Sequence, residues 1–264
     1  MIMYRYLIDT LPIWGLITLT IAILILVTLM SAKLFSWCPK SNDTNYEKIS
    51  TTLITIISGG FSILLAFVII NTWDYYLKST DIVSREASYL ATMLRDSKAF
   101  PREFQEKLHS AIAEYTVAVR FYEWDDMGKG RENAQAWDAI NNIYKLMTAY
   151  EPKPGKEGLF YNQLIIQMNN LLDTRRERLN SSNSVIPGTL RNALIISSIF
   201  LMAVLGAIQG RADVLNLLPV LFFAGIIGFN LALALSFDYP YSGDISISNK
   251  PFYRGALGKI PDPA

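Results

Sequence analysis

Four stretches of about twenty residues carry little or no charge, and this constrains the chain more than any other feature. The first covers about 12–32. Its eleven Leu, Ile and Val residues, at roughly −0.3 to −0.6 kcal/mol each, give on the order of −5 kcal/mol for insertion into a bilayer. A cleaved signal peptide is the competing reading. Arg5 is the sole early positive charge, the apolar run is too long for a signal's central region, and no A-x-A site follows, which favours a retained helix. Further spans are predicted at about 52–73, 190–209 and 214–237. Each is long enough to cross. Hydrophobic residues make up 51% of the 264 and mean hydropathy is +0.24, too apolar for an ordinary water-soluble fold.

Arg211 and Asp213 leave only a short turn between the last two spans, which predicts a tight antiparallel hairpin. An even number of crossings puts the amino terminus, the segment between the pairs and the carboxyl tail on one side. That side carries Arg5, Lys78, Arg85, Arg175, Arg176, Arg178, Arg191, Lys250 and Arg254, against Lys33, Lys40, Lys48 and Arg211 opposite. By the positive-inside rule the first side is cytoplasmic, as in a multi-pass protein of the cell inner membrane. The Arg175, Arg176, Arg178 cluster reads as a topology signal, with an anionic-lipid site as the alternative.

Beyond Lys78 the continuous apolar runs give way to helical periodicity. Phe104, Leu108, Ile112, Tyr115, Val119 and Tyr122 recur at three- and four-residue steps behind Pro101, predicting a helix of about seven turns that ends at Gly128 and Gly130. A second stripe, Trp137, Ile140, Tyr144 and Met147, stops at the Pro152, Pro154, Gly155 break. A third helix begins near Leu159 with Leu164, Met168, Leu171 and Arg175 on one face. Residues from about 76 to 96 contain neither Gly nor Pro, so the second span is expected to continue as one rod. No stretch alternates with period two, so no sheet is predicted. Trp124, Trp137, Tyr115 and Tyr144 are read as core.

The fold class is therefore an all-α integral membrane protein: four transmembrane helices in two pairs with an inserted cytoplasmic helical domain. Its parts are a first pair within 1–76, the inserted domain at 77–188, a hairpin at 189–237 and a cytoplasmic tail at 238–264. A net charge of +1 gives no basis for nucleic-acid binding. Cys38 and His109, each the only one of its kind, exclude a disulfide framework and a Cys/His zinc site. No phosphate loop, nucleophile elbow or paired histidines occur, so no cofactor, metal or enzyme activity is expected. Glu123, Asp125 and Asp126 lack the oxygen-rich loop of a calcium site and read as a solvated helix terminus. In the second span, Ser58, Gly59, Gly60 and Ser62 lie near the centre, with Asn71, Thr72 and Asp74 toward its end. Such residues serve close helix packing or mark an ion path. Asn230 in the fourth span is open to the same two readings, with a helix-bridging hydrogen bond preferred.

Leu64-Leu65-Ala66-Phe67, then Trp73-Asp74 and Arg85-Glu86-Ala87, resembles a bestrophin-like membrane family without an assigned function. The closing segment agrees: Asp238-Tyr239-Pro240-Tyr241-Ser242-Gly243-Asp244, ending in Ser248-Asn249-Lys250-Pro251-Phe252. Glu123-Trp124, Arg175 to Leu179 and the order of spans extend the likeness over the whole chain. A weaker similarity runs to the bestrophin ion channels, through Ala66, Phe67, Trp73, Asp74 and the segment from Asp238 to Gly243. Those channels are pentamers whose second helix lines a central pore with apolar residues one turn apart. That resemblance implies a homo-oligomer passing small ions, a neck at Ile63, Phe67 and Ile70, and a tail motif of Asp238, Pro240, Tyr241, Gly243 and Asp244. Two departures stand out. Val68, Ile69 and Ile70 follow the neck where bacterial bestrophins place Arg and Asn, and no acidic calcium cluster follows Asp244. An oligomeric membrane channel is the expected function, and a non-conducting, membrane-anchored interaction or signalling protein is the alternative.

Overall fold

The structure, a computed structural model, describes residues 2–37, 44–208 and 214–263. Cys38, Lys40, Gln209, Arg211 and Asp213 lie outside the described residues. The chain is helical: α1 (Ile2–Thr10), α2 (Ile13–Phe35), α3 (Thr44–Asp96), α4 (Arg102–Ala118), a π-helical segment (Val119–Glu123), α5 (Trp124–Gly128), α6 (Ala134–Thr148), α7 (Lys156–Ser181), α8 (Gly188–Ile208) and α9 (Val214–Ser236). Among the described residues there is no strand. Helix α1 is a separate amphipathic element that the sequence reading did not anticipate.

Four of these helices are long and apolar enough to cross a membrane: α2, α3, α8 and α9. Helix α3 has 53 residues, about 80 Å at 1.5 Å per residue. No Gly or Pro lies between Phe61 and Asp96 to break it.

The chain divides into two compact units. The first holds residues 1–75, 184–239 and 243–245, and thus α1, α2, the first part of α3, α8 and α9. Its organising helix is α2, which packs extensively on both α8 and α9. Close approach is made possible by two glycines. A Cβ on Gly206 would overlap the Thr28 carbonyl, and one on Gly228 would lie 2.9 Å from the Ile21 Cα. Ser31 Oγ donates to the Ala203 carbonyl at 2.5 Å, a further link from α2 to α8. The core consists of Leu24, Leu194, Leu201, Met202, Ala224 and Ile227, joined from α3 by Phe61, Leu65 and Val68. Trp14 and Trp37 stand exposed at opposite ends of α2, the places where aromatic residues sit at a bilayer interface.

The second unit holds residues 76–183, 240–242 and 246–264. Helices α4 and α6 pack together on α7 and the last part of α3 around Leu90, Met93, Leu108, Ile112, Ile140, Met147, Leu164 and Met168. The helix behind Pro101 reaches Gly128 through the π-helical segment. That widened turn carries Arg120 and Glu123 into the interior, where both are buried. Trp137 and Tyr144 depart from the expected core. They are 40% and 46% exposed, because Ile140, Ile143 and Met147 fill the inner face of α6.

Candidate functional site

Helix α3 shows two opposed stripes in the first unit. Phe61, Leu65, Val68 and Thr72, at steps of four and three, are buried against the subunit. Gly60, Ile63, Phe67, Ile70 and Asp74 follow the same helical period and are exposed. At 3.6 residues per turn the two stripes lie roughly 150° apart. The contrast is sharp: Leu65 is 2% exposed, whereas Ile63 and Phe67 are both 61% exposed. Of the four candidate spans, α3 is the least buried by its own chain.

The residues singled out in this span fall into distinct places. Gly59 and Asn71 flank the Phe67 stripe on either side, and Ser58 turns toward the half-buried flank. Ser62 Oγ donates back to the Ser58 carbonyl and Thr72 Oγ1 to the Val68 carbonyl, so both hydroxyls are satisfied within the helix. Nothing lies within 4 Å of a Cβ built on Gly59 or Gly60. Close packing within the subunit therefore does not explain them. That role falls to Gly206 and Gly228, whose meaning only the tertiary structure discloses. Asn230 is half-buried, and its side chain has no hydrogen-bond partner among the described residues.

The tail motif serves each unit differently. In the first, buried Asp238 receives hydrogen bonds from Ser184 Oγ at 2.9 Å, the Ile186 amide at 2.7 Å and Arg191 Nη1 at 2.6 Å. Its own carbonyl accepts from the Val185 amide at 2.9 Å. Asp244 Oδ2 accepts from the Ile13 amide at 2.9 Å. It caps α2 at a point where Pro12 has no side-chain acceptor to offer. Gly243 adopts φ +75°, and a Cβ there would lie 2.8 Å from the Ile8 carbonyl. In the second unit, the Pro240 carbonyl accepts from the Ile247 amide at 2.8 Å, and Tyr241 stacks edge-on against Trp124.

The second unit also contains a charged interior that sequence reasoning missed. Arg178 Nε donates to Glu86 Oε2 at 2.5 Å, and its Nη2 reaches Glu86 Oε1 at 3.0 Å and Glu123 Oε2 at 2.6 Å. Arg175 pairs with the other oxygen of Glu123 and lies over the Trp137 ring, 4.1 Å from its centroid. Tyr115 donates its hydroxyl to Glu86 at 2.6 Å. Arg175 and Arg178 are thus interior residues and not a surface topology signal, and Glu123 is not a solvated terminus. Asp125 and Asp126 do remain at the surface side, paired with Lys129 and Arg131. Burial alone would lower the Arg178 pKa, but Glu86 and Glu123 outweigh it and hold it well above its ordinary value. Burial, with the Glu86 charge added, pushes Tyr115 well above the usual phenol range. The available signal was the helical register of Glu86, Glu123 and Arg178 with their apolar neighbours, which marks an inward face.

Arg120 forms a second interior anchor. It donates to the carbonyls of Phe252 (2.5 Å), Leu257 (2.9 Å) and Ile260 (3.1 Å), and Tyr253 stacks on its guanidinium at 4.0 Å. Among the described residues no group of three or more His, Cys, Asp or Glu could hold a metal ion.

Four bilayer-length helices, an inserted helical unit and an outward apolar stripe on the second span define an all-α, multi-span membrane protein. Residues 21–252 match the Bestrophin-like domain family, and the chain belongs to that family. No curated protein matches it. Crystal structures of variants of a bacterial bestrophin homologue from Klebsiella pneumoniae share the fold. One has a TM-score of 0.64 at 11% identity, covering 92% of this chain and 97% of its own. A second has a TM-score of 0.60 at 13% identity, covering 92% of each. A crystal structure described as a membrane protein is similar at a TM-score of 0.62 and 12% identity, with 92% and 94% covered.

Proposed function

We propose that this chain is the subunit of an oligomeric channel in which several copies set the outward face of α3 around a common axis, through which small ions pass. The carrying observation is the stripe of Gly60, Ile63, Phe67, Ile70 and Asp74, exposed on the side of α3 opposite to its buried stripe. Ile63, Phe67 and Ile70 form the neck. They extend over about 10 Å of helix, and an apolar constriction of that length closes by dewetting when narrow. Family resemblance favours five copies. The excess of basic residues beside the inserted unit and both termini favours a cytoplasmic placement for these, in a cell inner membrane. The tail motif then acts by fixing structure: Asp238 joins the start of α8 to the end of α9, and Asp244 caps α2.

Reconstitution of the purified protein in liposomes tests this reading. Ion flux above that of empty vesicles, altered by Phe67→Ala, is expected, together with a native mass of several subunits. A monomeric mass with no flux would refute it and leave a non-conducting interaction protein.

A further inference from the structure

Between Lys48 and Lys78 the sequence contains one charged residue, Asp74. It is exposed on the Phe67 stripe, four residues past Ile70, and is paired with no cation among the described residues. We propose that Asp74 makes the pathway select cations over anions, an inference that rests on the channel reading above.

Copies arranged around an axis turn a single exposed carboxylate into a ring of like charge at the mouth of the apolar neck. Low-dielectric walls focus its field, which concentrates cations there and repels anions. The neck itself adds no charge, since the stripe from Ile56 to Ile70 is apolar throughout. Charges further along α3 largely cancel. Arg85 binds Asp81 at 3.0 Å and Glu177 at 3.1 Å. Lys78 is the one opposing charge not engaged in an ion pair among the described residues. It lies four residues on, roughly 40° around the helix from Asp74. Its position farther from the neck leaves Asp74 as the nearer charge to an ion leaving the dry segment.

The test is the reversal potential of the full-length protein in planar bilayers under a potassium chloride gradient. Wild type is expected to reverse toward the potassium equilibrium potential. Asp74→Asn moves that reversal to or past zero, Asp74→Glu restores it, and Lys78→Met sharpens cation preference. A wild-type channel that reverses toward the chloride potential, or an Asp74→Asn channel with unchanged reversal, overturns the assignment while leaving conduction intact. Absence of any current from protein of oligomeric mass overturns the channel reading itself, and this assignment with it.

Discussion

Arg178→Met removes the guanidinium that bridges Glu86 and Glu123 while keeping most of the side-chain volume. Three charge-assisted hydrogen bonds to carboxylates disappear with it, at 2.5, 3.0 and 2.6 Å. At about 1.5–3 kcal/mol each they sum to a gross loss of about 5–9 kcal/mol. The net loss is smaller. Glu86 keeps the Tyr115 hydroxyl and Glu123 keeps Arg175, and a stranded buried carboxylate sheds part of its cost by taking up a proton. Breaking a buried pair from one side typically costs about 3–5 kcal/mol. For a chain of this size that lowers Tm by about 6–20 °C.

Thermal unfolding of the full-length protein in detergent, followed by circular dichroism, measures the change. A second substitution separates charge from packing. Glu86→Gln placed on Arg178→Met removes the stranded charge and is expected to recover more than about 1 kcal/mol, or ~2–4 °C. The reasoning fails if Arg178→Met costs less than ~1 kcal/mol, or if Glu86→Gln adds a further loss on that background.

Gly206→Val forces side-chain atoms into the Thr28 backbone and is expected to cost at least about 1–3 kcal/mol, read as a lower Tm. Gly60→Val meets open space within the subunit, so it should leave subunit unfolding nearly unchanged and weaken only the oligomer, as seen by native mass measurement. Arg120→Met strands the carbonyls of Phe252, Leu257 and Ile260, and limited trypsin digestion at Arg254 and Lys259 should accelerate about tenfold or more, the equivalent of ~1.4 kcal/mol. Burial, followed by the hydrogen bond to Glu157, pushes Tyr150 up to about 12. That same hydrogen bond holds Glu157 below the ordinary glutamate range. A depressed carboxylate stabilises the fold above its unfolded pKa and loses that contribution as pH falls through its folded value. Tyr150→Phe should therefore raise the Glu157 midpoint in an NMR titration and flatten the acid limb of stability, while an unmoved midpoint refutes the coupling.

The spans and the long α3 were legible because lipid imposes a simple rule: about twenty apolar residues with their backbone bonds satisfied locally. The helices of the inserted unit were legible through Pro101, Gly128 and the 3.6-residue period. Burial within them was less so. Trp137 and Tyr144 share a stripe with Ile140 and Met147 yet remain half in solvent, because the stripe is wider than the face α6 buries. Arg175, Arg178 and Glu123 carry, in sequence, the pattern of surface charge, the usual fate of such residues. The partners of Arg178 come from α3 and the π-helical segment, 92 and 55 residues away; the helical register marks an inward face but does not say which distant residue meets it. Gly206 and Gly228 were silent for the same reason.

Exposure of Ile63, Phe67 and Ile70 is, taken alone, equally suited to acyl chains, since hydrocarbon accepts apolar side chains without penalty. The adjacent Gly59 and Gly60 separate the two environments. Each glycine weakens a helix by about 1 kcal/mol relative to alanine, and neither recovers that loss through a contact inside its own subunit. Against fluid lipid a missing side chain gains nothing. Beside another helix it permits closer approach, and beside a narrow axis it leaves room that a side chain would fill. A face that sets Gly60 on one stripe with Asp74, which has no ion-pair partner among the described residues, and Gly59 beside them is therefore poorly suited to lipid, and this supports the proposed gathering of copies around an axis.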